Sequence, residues 1–240
     1  MLYSDDHSIS GWSEQGLQIR KSKYQRIFSK LRLPSDKLLL DLGCGSGVYS
    51  RMLTAAGYTV IGVDYAYNVL HEAKKRDHSG NGSYLCGDLY SLPFKDNCFG
   101  HILCIGVFQS LAKPMTALAE LRRILAPGAT LVLMTLNSLQ VKCLIDSVLG
   151  RTEILMVEGA PIKRLETYNP FAFKNKLMEL GFKVLYLKPL IIIPVANMIA
   201  KAFASLMERI PFLAYASAIE FIAVAKKECS NQKKRFEGAL

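Results

Sequence analysis

The sequence has no Cys-x-x-Cys pair. Its six cysteines stand singly at 44, 86, 98, 104, 143 and 229, and none of its four histidines gathers beside them. Such spacing signals neither a zinc site nor a redox pair, and thiols scattered through apolar segments suit a reducing compartment. No apolar stretch reaches the roughly 20 residues that a membrane-spanning helix needs. The run Leu190 to Ala200 is interrupted by Pro194 and followed by Lys201. Met1 to Ser13 is polar and acidic and lacks the apolar core of a signal peptide, so a cytoplasmic protein is expected. Internal repeats and low-complexity segments are absent too. Acidic residues are the minority charge, 20 against 30 Lys and Arg, for a net charge of +10. The excess suits contact with nucleic acid or an anionic membrane surface, and equally a solvated basic surface, because the charges are dispersed.

What is present is a globular composition, 50% hydrophobic and 21% charged over 240 residues, enough for one large domain or one domain with insertions. Short apolar runs at Leu38 to Leu42, Thr59 to Val63, Ile102 to Ile105 and Thr130 to Met134 read as strands buried on both faces. Helical spacing separates them at Val48 to Ala56, Asn68 to Lys75 and Met115 to Leu125. This alternation predicts an α/β domain with a mostly parallel sheet and helices on both faces. Ala126-Pro127-Gly128 is expected to end a helix and turn into the fifth strand. Further on, a helix over Pro170 to Leu180 leads to a strand at Lys183 to Leu187, and Glu220 to Ala225 is the last strand. Residues 1–36 form an N-terminal helical segment, 38–135 the core, and 228–240 a basic tail. Two segments, 137–167 and 189–215, break the alternation and are expected as helical insertions over the carboxyl edge of the sheet. In the second, Val195, Ile199, Phe203, Leu206 and Ile210 share one helical face, which suits core or lid packing or a peripheral membrane contact.

The most informative stretch runs from Leu38 to Ser50. An apolar strand ends at Asp41-Leu42 and passes into Gly43-Cys44-Gly45-Ser46-Gly47, after which a helix begins. Glycines allow positive φ and close approach of a ligand, and the following helix start offers unpaired N–H groups. Asp64, some 20 residues beyond, ends the second strand, where a carboxylate can accept both hydroxyls of a ribose. It could instead cap the helix that follows.

The run DLGCGSG resembles the first motif of class I S-adenosylmethionine-dependent methyltransferases. Its G-x-G-x-G spacing differs from the G-x-G-x-x-G of dinucleotide dehydrogenases. Gly87-Asp88-Leu89 with Leu92-Pro93-Phe94, the run Phe99 to Phe108, and Leu121 to Ala129 resemble later segments of the branch that includes the ubiquinone and menaquinone methyltransferases. The resemblance implies a single Rossmann-like domain with a seven-stranded sheet and an antiparallel last strand. It implies S-adenosylmethionine as cofactor and S-adenosylhomocysteine as product. Asp41, Gly43, Cys44, Gly45 and Gly47 would line the methionine and ribose part. Asp64 and Tyr65 would flank the ribose and adenine, Asp88 and Leu89 would meet the adenine edge, and Ile105 would lie near the sulfonium.

Two positions depart from the family pattern. Gly100 stands where an Asp is common, and Ser110 where a His is often found. His101 lies within the fourth strand and reads as a packed histidine rather than a base. No catalytic base is named by the sequence, with Ser110 and Tyr168 the remaining polar candidates. The acceptor is expected to be small and, from the apolar insertions, hydrophobic. The rival readings are an RNA methyltransferase, disfavoured because no RNA-binding module is visible, and a non-catalytic cofactor-binding protein. No metal site is expected.

Overall fold

The computed structural model describes residues 14–31, 33–79, 82–141, 156–157, 160–161, 166–190 and 211–229. The expected tail beyond 229, the first 13 residues and most of both insertions (142–155, 158–159, 162–165 and 191–210) lie outside the described residues.

The chain begins with α1 (Glu14–Leu31). Then β1 (Leu39–Leu42), α2 (Val48–Ala55), β2 (Val60–Asp64), α3 (Tyr67–Arg76), β3 (Ser83–Cys86), β4 (Phe99–Ile105), α4 (Pro114–Ile124) and β5 (Leu125–Leu136) alternate. A short pair, β6 (Met156–Val157) and β7 (Ala160–Pro161), precedes α5 (Pro170–Glu179), β8 (Phe182–Leu190), α6 (Pro211–Ser217) and β9 (Glu220–Lys227). The main sheet has the order β3-β2-β1-β4-β5-β9-β8. Its first five strands are parallel and β9 runs antiparallel to both neighbours.

Alternate residues of each central strand face opposite layers, as the period of two dictates. Leu40, Ile102, Leu131 and Ala223 meet Leu118, Leu121, Phe173 and Leu177 from α4 and α5. Leu39, Leu103, Val132 and Ile222 meet Tyr24 and Phe28 of α1 and Leu53 of α2. Both faces are covered, which is why the strands read as continuous apolar runs. Leu17, Arg20, Tyr24 and Phe28 share the buried stripe of α1. Local chemistry sets the helix starts: Pro114 and Pro170 occupy first positions, and Asn169 accepts hydrogen bonds from Phe171 N and Ala172 N.

Two expectations are corrected. Ala126-Pro127-Gly128 does not turn between helix and strand. The helix stops at Ile124 and β5 starts at Leu125 opposite Phe99, but the next residue in register is Thr130, opposite His101, so 126–129 bulge out of β5 with Gly128 at φ 74°. Lys227 bridges the junction, donating to the carbonyls of Arg122 and Leu125 at 2.7 Å each. The second insertion starts later than Pro189, because Pro189 and Leu190 still pair with Phe221 and Glu220. Its last residues run into α6, which Asn137 clamps to the end of β5: its Nδ2 donates to Tyr215 O at 2.7 Å and to Ala218 O at 2.8 Å.

Candidate functional site

The turn after β1 is built by backbone conformation. Gly43, Gly45 and Gly47 have φ of 69°, 53° and 75°. At Gly43 two constraints coincide: an added Cβ would lie 2.2 Å from Val107 Cγ2, so positive φ and the loop after β4 both demand glycine. Above Gly45 the space is open, the nearest atom being Val69 Cγ1 at 4.0 Å. Gly43 N and Cys44 N both donate to Val63 O, at 2.7 and 3.1 Å, which ties the turn to the end of β2.

Asp64 completes the arrangement. Its Oδ2 accepts from Gly45 N and its Oδ1 from Ala66 N, both at 2.9 Å. Ala66, not Asp64, is the residue that caps α3, and no side chain caps that helix. Gly87 N donates to Asp64 O at 3.1 Å, which brings the exit of β3 to the same place. There the Asp88 carboxylate accepts from Tyr90 N at 2.9 Å.

Asp41 points to the α2 face and is 1% exposed. Ser50 Oγ donates to its Oδ2 at 2.5 Å. Burial pushes the Asp41 carboxyl up to about 6, against the opposing effect of the Ser50 hydrogen bonds and with a smaller contribution from the nearby Asp64 charge.

The structure thus brings Asp41, Gly43, Cys44, Gly45, Gly47, Asp64 and Ile105 together at the carboxyl ends of β1, β2 and β4, with Asp88 beside them. Within that set some side chains face elsewhere. Cys44 is buried, an added Cβ at Gly62 would lie 2.9 Å from its Sγ, and burial drives its thiol pKa far up. Only the Cys44 backbone is left to meet a ligand. Leu89 and Ile105 belong to the apolar core, on opposite faces of the sheet. Tyr65 is 81% exposed, with an unencumbered ring.

The polar candidates for a base are otherwise engaged. Tyr168 Oη donates to Phe108 O at 3.0 Å, and burial raises its pKa. His101 Nε2 lies 3.1 Å from Pro34 O at the opposite edge of the sheet, and burial lowers its pKa. Ser110 is exposed. The departure at Gly100 has a steric cause: a Cβ there would meet Lys37 Cβ at 2.3 Å.

Sequence reasoning missed a buried ion pair beside this site. Arg20 of α1 pairs with Glu220 at the head of β9, both almost fully buried, and Tyr24 packs edge-on against Tyr49 at 5.1 Å. The Arg20 position on the apolar stripe of α1 was the available signal. Its partner, 200 residues away, had none. Among the described residues no cluster of three or more His, Cys, Asp or Glu could hold a metal, and no helix is long and apolar enough to cross a membrane.

A parallel sheet with a glycine turn after its first strand and a carboxylate at the end of its second defines a Rossmann-like domain for an adenosine-bearing cofactor. Residues 40–133 match the family profile described as a methyltransferase domain. With the fold, this match bears out the resemblance to S-adenosylmethionine-dependent methyltransferases over that segment. A Haloferax volcanii chain, solved in complex with the Trm112 methyltransferase activator, superposes with a TM-score of 0.64 at 18% identity, covering 90% of this chain and 98% of that one. An uncharacterized protein of Methanocaldococcus jannaschii is 26% identical over 174 residues, 70% of this chain and 64% of that protein. The malonyl-[acyl-carrier protein] O-methyltransferase of Erwinia pyrifoliae is 30% identical over 123 residues, 51% of this chain and 46% of that enzyme. The chain therefore spans less than two thirds of the curated relatives it matches.

Proposed function

We propose that the protein is an S-adenosylmethionine-dependent methyltransferase acting on a small, hydrophobic acceptor in the cytoplasm or at a membrane surface. The observation that carries the reading is the Asp64 carboxylate held on Gly45 N beside a turn whose outer side is open. The residues fit the cofactor. Asp64 retains lone pairs for a ribose diol, the open space over Gly45 admits close approach, and the N–H groups at the start of α2 are placed for a carboxylate. Tyr65 and the backbone around Asp88 and Leu89 would flank the adenine, and Ile105 would wall the reacting end. When bound, the sulfonium supplies an electrophilic methyl group.

The chain's own contribution is then position and dryness. Holding two reactants in line contributes on the order of 7–11 kcal/mol. The apolar ends of β4 and β5, Ile105 and Met134, together with Tyr24 and Tyr49 from the covering helices, exclude water from that face. Tyr168 and His101 are held by backbone carbonyls, so neither is placed to take a proton from the acceptor.

Incubation with methyl-labelled S-adenosylmethionine and fractionated extract tests the reading. Label entering an organic-soluble small molecule is expected. Label entering RNA with a steep loss at higher salt, or entering nothing, overturns the acceptor assignment.

A further inference from the structure

The open edge of β8 carries a second feature, away from the glycine turn. A cavity of about 700 Å³ lies between β8, α5, α6 and the segment that leaves β5, within the size range of small-molecule sites. Leu139, Val141, Phe171, Leu185, Leu187 and Tyr215 line it. Val141, Phe171 and Leu185 are each about half exposed. Apolar side chains left open to water in one concave place mark a binding surface more often than an accident of packing.

The walls of this groove are fixed. Tyr215 is held three ways: its carbonyl accepts from Asn137 Nδ2 at 2.7 Å, its hydroxyl donates to Leu187 O at 3.2 Å, and its ring lies 5.2 Å from that of Phe171. Asn137 Oδ1 also accepts from Leu139 N at 3.0 Å, which sets the course of the Leu139 wall. The groove reaches the carboxyl edge through Leu139 and Val141, which follow directly on β5.

Its charge is of one sign. Lys174 lines it, and among the described residues no carboxylate pairs with that ammonium. An apolar trough with a lysine on its wall complements a molecule with an apolar chain and an anionic group.

We propose that this groove binds the chain of an anionic amphiphile, with Lys174 meeting its carboxylate or phosphate. Resting on the methyltransferase reading, the inference names the ligand class of the neighbouring substrate region, an anionic amphiphile whose free end lies toward the carboxyl edge at Leu139.

Calorimetric titration of the full chain with dodecanoate, dodecyl phosphate and dodecyltrimethylammonium, below their micellar ranges, tests it. Micromolar binding of one or both anions is expected, and which one binds distinguishes the carboxylate from the phosphate source. The cation should bind about tenfold or more weakly. Leu185→Asp places a charge in the trough and Lys174→Glu reverses its sign. Each should weaken anion binding about tenfold or more while leaving S-adenosylmethionine affinity unchanged. If Leu185→Asp does not fold, Val141→Ser at a half-exposed position carries the same test. Anion binding insensitive to these changes, equal binding of the cation, or no binding at all overturns the proposal. Anion binding in a chain that fails to bind S-adenosylmethionine would leave the groove standing and remove the methyltransferase reading instead.

Discussion

The two edges of the same parallel strands are built differently. At the amino edge a network of side chains binds loop carbonyls, although His101 Nδ1 and Arg122 Nε stay buried without partners. Arg123 donates to Phe94 O at 2.8 Å, Leu92 O at 3.1 Å and Asp96 Oδ1 at 2.7 Å, and holds Glu120, whose Oε1 accepts from Leu92 N. Lys227 joins the end of α4 to Asn97 and to the start of β5. At the carboxyl edge stand positive-φ glycines, a buried carboxyl with a raised pKa, and buried oxygens without partners on Tyr24, Gln109 and Thr135. One edge is a staple that holds the fold. The other gathers three positive-φ glycines in one turn beside a buried carboxyl, as a binding edge does.

Four substitutions separate the edges, from largest effect to smallest. Gly43→Ala sets a Cβ against Val107 at positive φ. It should cost about 2–4 kcal/mol in urea unfolding and abolish S-adenosylmethionine binding. Asp41→Asn should do the reverse for stability. A folded pKa near 6 lies above the unfolded value, so the Asp41 contribution is complete below about pH 4 and lost as pH rises through 6. At pH 8 the Asn variant should therefore be more stable than wild type by on the order of 2–3 kcal/mol, with the two converging below about pH 4. A pH-independent difference in denaturant midpoints would contradict the assignment.

The third and fourth substitutions fall on the amino edge and should spare the ligand. Gly100→Asp, which restores the common family residue, should destabilise by about 1–3 kcal/mol because Lys37 occupies the Cβ position. Arg123→Ala should lower the thermal midpoint. Both should leave S-adenosylmethionine affinity within about twofold of wild type by calorimetry.

How much of this was legible depended on sequence distance. The glycine turn and Asp64 could be read because their geometry is local: a strand, a turn and a helix supply nearly every constraint. Leu121-Arg122-Arg123 could be matched to a family pattern without its reason being visible, since its work is to bind carbonyls about 30 residues earlier. Ala126-Pro127-Gly128 fits a turn and a strand bulge equally well in sequence, and the pairing of Leu125 with Phe99, which makes it a bulge, lies some 25 residues away. The end of β8 was hidden by Pro189, tolerated there because β8 is an edge strand. Cys44 and Leu89 lie at positions that face the site in sequence, yet their side chains turn into the core. Arg20 and Glu220 show the limit most clearly, since nothing near either residue names the other.

Calorimetric titration of S-adenosylmethionine into wild type, Asp64→Ala and Asp64→Asn tests the central claim most directly. Micromolar affinity for the wild type is predicted, with a loss of about tenfold or more in both variants and unfolding midpoints close to wild type. Equal affinity in all three proteins, or no binding to the wild type, would contradict the assignment of the glycine turn and Asp64 as the cofactor site.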